Sequence, residues 1–356
     1  MMKTFCRKEW TSNLSFTLLI VAEMCVKLRI LLFPSCHIFK ILLTLILLIF
    51  LLHCLNPGRF PSSYPFINED DILNELEPSP FAVVLAEKSN KPLCVLKLYN
   101  LSNSLHYPSK SVSDSDVTDL SSKLDIKAGG SWEPSQCVSQ YHIAVVVPFR
   151  NRSSQLQIFL SYMHPFLQNQ LLSYRIFVVE QGMKGAFNRA KLFNIGYVEA
   201  LKILPFHCFI FHDVDLIPQK LRNVYACTHY PRHMSSSLNT FRYNLPYQEL
   251  FGGAVAILQK QFDLVNGFSN IFFGWGGEDD DFQNRIHNRG LQICRFPPHI
   301  ARYIMLSHAK ESPSESRYIN LRSGRDRFDT DGLNNLKYNL RNISYQPLYT
   351  WILVDI

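Results

Sequence analysis

Between residues 142 and 212, apolar runs alternate with amphipathic stretches, and this alternation restricts the possible folds more than any other feature of the chain. His142–Val147 is a mostly apolar run stopped by Pro148, the pattern of a strand buried on both faces. Ser154–His164 fits a helix, with Pro165 just beyond it. Tyr174–Val179 reads as a second strand. Asn188–Leu204 reads as a helix with apolar residues at Leu192, Ile195, Val198 and Leu201, and Cys208–His212 as a third strand. This order implies an α/β sheet with a mostly parallel core. In such sheets a ligand sits beyond the carboxyl ends of the strands. Pro148-Phe-Arg-Asn-Arg follows the first strand and Asp213-Val-Asp follows the third, so both should face one crevice.

The remainder of the chain is less uniform. Ile41–Leu55 is an apolar run of 15 residues with no formal charge, preceded by Lys3, Arg7, Lys8, Lys27, Arg29 and Lys40. Arg59 and then Glu69, Asp70 and Asp71 follow it. That asymmetry favours a signal anchor that keeps residues 1–40 in the cytoplasm and sends the rest across a membrane. A cleaved signal peptide fits less well, because its charged region would be too long and no small-x-small site follows. Leu14–Val26 is either a second hydrophobic arm or sequence upstream of a true start at Met24. Residues 56–130, with Pro57, Pro61, Pro65, Pro78 and Pro80 and a serine-rich run over Ser109–Ser122, read as a stem in which only Phe81–Lys97 looks packable. That leaves residues 131–356 for a catalytic domain. The net charge of +7 is scattered rather than gathered into a stripe, which argues against a nucleic-acid partner. None of the nine cysteines forms a Cys-x-x-Cys pair, so zinc or thioredoxin chemistry is not indicated. The five beyond the anchor allow two disulfides and one leftover thiol. Asn100-Leu-Ser and Asn342-Ile-Ser are candidate glycosylation sites.

Two acidic clusters carry the chemistry. Asp213 and Asp215 are two apart, and on an extended segment their carboxylates point to the same side. One can bind a divalent metal while the other orders it or a ribose. By itself Asp-x-Asp is also ordinary strand-end turn chemistry. Met305 lies in the short apolar run Tyr303–Leu306 and is followed by His308. Taken singly, these are more often a core thioether and a satisfied imidazole. With Asp215 they form an O, S and N donor set suited to a softer transition ion. Phe149, Arg150 and Arg152 can stack on a base and pair with a diphosphate, or be a turn with two solvated arginines. In Gly274-Trp-Gly-Gly-Glu-Asp-Asp-Asp, a helix start at Glu278 accounts for one or two of the acids through the helix dipole, but not for four in a row. The glycines allow close approach of the backbone to a ligand, and Trp275 offers a flat face to a sugar ring. A metal site with a spare carboxylate base suggests group transfer from a phosphate-bearing donor.

Val147-Pro-Phe-Arg-Asn-Arg, Phe187-Asn-Arg-Ala-Lys, Asp213-Val-Asp-Leu-Ile-Pro, Leu245-Pro-Tyr with Phe251-Gly-Gly, Gly274-Trp-Gly-Gly-Glu-Asp-Asp-Asp and Met305-x-x-His308 occur in that order. Together with Asp331-Gly-Leu-Asn and Pro347-Leu-Tyr-Thr, they make residues 130–356 resemble the β1,4-galactosyltransferase family (glycosyltransferase family 7, including its N-acetylgalactosaminyltransferase members). The resemblance implies a GT-A fold in a Golgi type II membrane protein with a lumenal catalytic domain. Pro148, Phe149, Arg150, Arg152, Phe187, Arg189, Asp213, Val214, Asp215 and Trp275 would hold the UDP-sugar. Asp215, Met305 and His308 would hold manganese. Asp279 would be the base, with Glu278 beside it. Tyr247, Gly277, Glu278, Asp279, Asp280, Arg317, Tyr318 and Leu321 would place the acceptor. Tyr318 stands where the family usually has Phe, so this last match is looser. Cys94–Cys137 and Cys208–Cys227 would be disulfides and Cys294 free.

One position departs from the galactose-specific pattern. Those members carry Tyr immediately before Phe-Gly-Gly, and here the residue is Leu250. Leucine leaves room at the donor's C2 substituent, so UDP-GalNAc is expected as donor, with UDP-Gal as the alternative and a harmless packing change as the plain reading. The implied activity is inverting, metal-dependent transfer to the 4-OH of a terminal β-GlcNAc on glycoconjugates. Strict use of UDP-Gal, or an inactive glycan-binding protein on the same fold, are the alternatives. An inactive relative would be expected to have lost one of Asp215, Met305, His308 or Asp279, and all four are present.

Overall fold

The structure, a computed structural model, describes residues 37–55, 65–101, 114–182, 185–309 and 311–356. Residues 1–36, including the apolar run Leu14–Val26, lie outside the described residues. The chain separates into two units, Met1–Arg59 and Phe60–Ile356.

In the first unit, helix α1 (His37–Leu55) contains the apolar run. Its 19 residues rise about 28 Å at about 1.5 Å per residue, close to the roughly 30 Å of a hydrocarbon core. Among the described residues, no helix is long and apolar enough to cross a membrane.

The second unit is built on a sheet of eight strands. In chain order its strands are β1 (Ser131–Trp132), β2 (His142–Phe149), β3 (Ser173–Gln181), β4 (Cys208–His212), β6 (Arg232–His233), β8 (Ala254–Leu258), β10 (Asn339–Tyr345) and β11 (Thr350–Asp355). They lie in the order β10-β11-β3-β2-β4-β8-β6, with β1 beside β3. The pairs β11–β3, β3–β2 and β2–β4 are parallel. The pairs β1–β3, β10–β11, β4–β8 and β6–β8 are antiparallel. The core is parallel as expected, but the whole sheet is mixed rather than mostly parallel. A helix-covered apolar run announces a parallel strand, whereas β6 and β8, and likewise β10 and β11, follow one another with no α-helix between them. A second, three-stranded sheet pairs β5 (Leu216–Pro218), β9 (Arg302–Met305) and β7 (Ser237–Leu238).

The apolar alternation of β2 sorts its side chains between two cores. Ile143, Val145 and Val147 pack with Phe159, Leu160 and Met163 of helix α2 (Ser153–Asn169). Ala144 and Val146 pack with Leu192, Phe193 and Ile195 of helix α3 (Arg189–Ile203). Each fully buried large side chain there stabilises the fold by about 1.5–3 kcal/mol. Gly196 lets α3 lie close on the sheet, since a Cβ there would stand 2.3 Å from Val146 Cγ1. Helix α2 runs through Pro165 instead of ending before it. Proline inside a helix costs about 3 kcal/mol, but Phe166 and Leu167 beyond it are fully buried and offset that cost.

Part of the segment read as stem belongs to the body of the domain. Ile72, Leu76 and Leu101 are buried in the α2-side core. Ile67 N–H donates to Arg295 O at 2.9 Å, and Glu77 N–H to Cys227 O at 2.9 Å. Within Phe81–Lys97, by contrast, Phe81, Val83, Val84, Leu85 and Val95 are exposed. The prolines and acids around Ile72 and Leu76 masked two apolar residues spaced for one helical face. The serine-rich run contains a helix, Asp114–Lys123. Cys94–Cys137 and Cys208–Cys227 are disulfide-bonded, and Cys294 is free. Asn342 is exposed on β10, and Asn100 sits in the short turn of helix Leu98–Leu101.

Candidate active site

The crevice opens where β2 and β4 end. After β4 the chain turns at once, with Leu216 N–H donating to Asp213 O at 3.3 Å. His212 is fully buried and fixes this turn, its ring nitrogens 2.8 Å from Asp213 O and 2.8 Å from Tyr225 Oη. Burial pushes His212 down to about 4, so it is a neutral imidazole. Because the segment is a turn and not extended, the two aspartates take different partners. Asp213 Oδ1 accepts from Arg189 Nε at 2.5 Å, and Asp215 Oδ2 lies 2.9 Å from His308 Nδ1. Val214 between them is buried.

Strand pairing explains how His308 and Met305 reach Asp215 from 90 residues away. Leu216 of β5 is registered against Met305 of β9, and Leu306 N–H donates to Asp215 O at 2.7 Å. Among the described residues, no group of three or more His, Cys, Asp or Glu side chains is gathered for a metal. Asp215 and His308 are two such groups, and the third expected donor is the Met305 thioether, which falls outside that count. The donors nonetheless fit a divalent cation. Asp215 is pushed up to about 6, first by burial and then by the Asp213 charge, against the pull of His308. A carboxylate so crowded by negative charge and poor in solvent is one that a cation would relieve.

The opposite wall is helix α4 (Glu278–Asn288). Gly276 and Gly277 precede it at φ 105° and 95°, a left-handed backbone that admits glycine readily. Four acids occupy its first turn, and the structure divides them. Glu278 Oε1 lies 3.6 Å from Arg189 Nη1, while its Oε2 is buried with no hydrogen-bond partner. Asp279 Oδ2 lies against the backbone of Gly252, where a Cβ would stand 2.4 Å away. Asp280 Oδ1 accepts from Tyr247 Oη at 2.8 Å. Asp281 points away into the body of the protein and pairs with Arg285 Nε at 2.7 Å. Three of the acids thus face the crevice, and the fourth is structural.

Arg189 joins the two walls. Burial would push its charge out, but Asp213, Glu278 and Asp279 outweigh that and hold it protonated. Glu278 is pushed up to about 7, first by burial and then by Asp279, with Arg189 opposing. Burial and the Asp280 charge also raise Asp279. A pKa raised on folding means that the folded state binds more protons, so Glu278 removes stability as pH rises from its ordinary 4.5 through about 7. The metal-free Glu278→Gln protein should therefore melt a few degrees above the wild type at pH 8, and the difference should shrink towards pH 4.5. Thermal unfolding across that range measures it; equal midpoints at pH 8 would reject a strained carboxylate.

The remaining expected residues lie on the segments that follow β2, on those that precede α3, β8 and α4, and on a short helix beside α4. Pro148 and Phe149 end β2 and are buried. Arg150 Nη1 donates to Gly185 O at 2.9 Å, and its guanidinium lies 5.1 Å from the Phe187 ring. Arg152 Nη2 donates to Ala309 O at 3.1 Å, next to His308. Trp275 is half-exposed, and its carbonyl accepts from Ser314 N–H at 3.0 Å. Arg317 and Leu321 lie on helix α5 (Arg317–Arg322), with exposed Tyr318 beside Arg317. Arg317 Nη1 also donates to Ser314 O at 2.8 Å, so α5 and the Trp275 loop share one anchor. Leu250 is partly buried, two residues before Gly252. Sequence reasoning missed Arg295, whose Nη2 donates to Gln248 O at 2.6 Å and to Leu250 O at 2.9 Å. Its separation of 45 residues from Leu250 left no local signal.

Two family models match the chain. One is the "N-terminal region of glycosyl transferase group 7" over residues 94–228, the other the "N-terminal domain of galactosyltransferase" over residues 232–309. Beta-1,4-galactosyltransferase 5 of Mus musculus is 40% identical over 271 residues, 75% of this chain and 69% of the relative. Beta-1,4-galactosyltransferase 4 of Cricetulus griseus is 40% identical, covering 72% of this chain and 76% of the relative. The chain belongs to the β1,4-galactosyltransferase family. Beta-1,4-galactosyltransferase 1 of Mus musculus is 44% identical over 65% of this chain, and the match spans 59% of that relative's length. The fold agrees with the family. The catalytic domain of Drosophila beta1,4galactosyltransferase 7 in complex with xylobiose superposes with a TM-score of 0.53 at 28% identity, covering 60% of this chain and 93% of that one. A mutant of the same Drosophila enzyme was solved with manganese, UDP-Gal and xylobiose, and it superposes with a TM-score of 0.51 at 26% identity over the same shares.

Proposed function

We propose that this protein is an inverting β1,4-glycosyltransferase that moves GalNAc from UDP-GalNAc to the 4-OH of a terminal β-GlcNAc. The observation that carries this reading is the Arg189 bridge. It holds Asp213, on the metal side, and Glu278, beside the base, in one crevice between β4 and α4. Phe149, Arg150, Arg152 and Phe187 bind the uridine diphosphate, with Trp275 closing over it. Asp215, Met305 and His308 would hold manganese, which when bound would supply charge neutralisation for the leaving diphosphate, on the order of several kcal/mol. Manganese and UDP-Gal are bound by the Drosophila relative, which supports the donor class and the metal.

Tyr247, Asp280 and α5 orient the acceptor so that its 4-OH meets Asp279. Asp279 takes the hydroxyl proton as the oxygen attacks the anomeric carbon, and the bond from that carbon to the diphosphate breaks on the opposite face. The raised basicity of Asp279 suits this task. GalNAc, rather than Gal, follows from Leu250, which offers no hydroxyl and leaves space at C2. The apolar run Ile41–Leu55 and the basic residues before it support a type II anchor in the Golgi membrane, with the catalytic unit in the lumen.

Transfer to a GlcNAc β-glycoside with manganese, comparing UDP-GalNAc with UDP-Gal, tests the reading. Preference for UDP-GalNAc is expected. Preference for UDP-Gal would reassign the donor and leave Leu250 as packing. Glycan binding without transfer from either donor would support the inactive binding protein instead.

A further inference from the structure

We infer that Arg295 is a positioning residue that sets donor selectivity through the backbone of the Tyr247–Leu250 turn. This rests on the donor pocket proposed above. Arg295 is 4% exposed, and its Nη2 donates to the carbonyls of both Gln248 and Leu250. The turn is closed by Leu250 N–H donating to Tyr247 O at 3.3 Å. A planar guanidinium fixed at Nε, whose single Nη2 group donates to two carbonyls with one residue between them, sets the direction of the intervening peptides, which an ammonium on a flexible stem does not. The turn carries a residue for each substrate. Leu250 stands at the donor wall just before Gly252 and Gly253, and Tyr247 reaches Asp280 on the acceptor wall.

Arg295 is itself held from behind. Its Nε donates to Nδ1 of the buried His233 at 3.3 Å, and its carbonyl accepts from Ile67 N–H. His233 is fully buried and belongs to β6, which pairs with β8. Burial and the neighbouring Arg295 charge hold it well below its ordinary value, so it accepts as a neutral imidazole. The guanidinium therefore transmits the position of the sheet edge to the turn. The pocket's width at Leu250 is fixed by a residue that touches neither substrate.

Arg295→Lys keeps the charge but loses the Nε bond to His233 and the planar group that it fixes in place. Affinities for UDP-GalNAc and UDP-Gal are measured on wild type and variant with manganese, alongside thermal unfolding, with Arg175→Lys as control because that arginine bonds Ala128 O instead. The affinity ratio of the two donors should change about 3- to 10-fold in Arg295→Lys, less than the whole of one hydrogen bond to a charged group, because the turn shifts without being lost. It should stay constant in the control. A shifted melting temperature with an unchanged ratio would make Arg295 merely structural and overturn the inference. Wild-type protein that binds neither donor would instead sink the functional reading, and the inference with it.

Discussion

Asp279→Asn should lower transfer by about 10²–10⁴-fold while leaving UDP-sugar affinity within a few-fold of the wild type. The amide matches the carboxylate in shape and keeps the contact with Gly252, but it cannot accept the acceptor's proton. The substitution also removes one negative charge from a crowded wall. Glu278 should then ionise more easily, because Asp279 is the largest charge pushing it up. Single-turnover transfer and donor titration on the same preparation separate the two effects. If donor binding is lost along with transfer, Asp279 is a binding residue and not the base. If transfer survives at more than about a tenth of the wild-type rate, another group takes the proton, and Glu278 is the neighbour to test next.

Arg285→Met should cost about 3–5 kcal/mol of stability, the usual result of removing one partner from a buried ion pair. Arg285 is fully buried between Asp281 and Asp331, with Nε 2.7 Å from Asp281 Oδ2 and Nη2 3.6 Å from Asp331 Oδ2. Its Nη1 also donates to Asp331 O at 2.6 Å. Asp331 in turn accepts from Ser269 Oγ at 2.5 Å and from Asn270 N–H at 2.9 Å. Removing the cation leaves two buried carboxylates with only the more distant Arg327 to offset their charge, its Nε 3.7 Å from Asp331 Oδ2. Burial already raises Asp281, with Arg285 opposing, so the loss should drive it to the protonated form. Chemical denaturation gives the magnitude, and Arg285→Lys should recover part of it. A cost below about 1 kcal/mol would mean that water reaches the cluster.

The first substitution falls on the acidic run and the second on the partner of its last member, Asp281, and that proximity marks what could be read from the chain. The motif Gly274–Asp281 pointed to chemistry, yet nothing in its spelling separates Asp279 in the crevice from Asp281 in the core. The helical turn that begins at Glu278 makes the separation. Similarly, the spacing of Asp213 and Asp215 was visible, but an extended backbone was assumed where the chain turns, so their divergent partners were not. The parallel strands β2, β3 and β4 were legible because each is a continuous apolar run followed or preceded by a helix. Strands β6, β7 and β9 are two to four residues long and are held by partners far along the chain, which a local pattern does not carry. Arg295, which binds two carbonyls through tertiary contact alone, lies beyond any motif.

The packing of Ile67, Ile72 and Leu76 against the catalytic body bears on where this protein can be shortened. A piece that begins at residue 131 would keep every motif, yet it would discard the strap that seats Arg295 and one half of the Cys94–Cys137 staple. It would uncover apolar surface of the α2-side core and leave Cys137 with an unpaired thiol. Cutting ahead of residue 65 removes the helix His37–Leu55 and spares the strap. Composition places the border of the enzyme near residue 131; its hydrogen bonds place it more than sixty residues earlier.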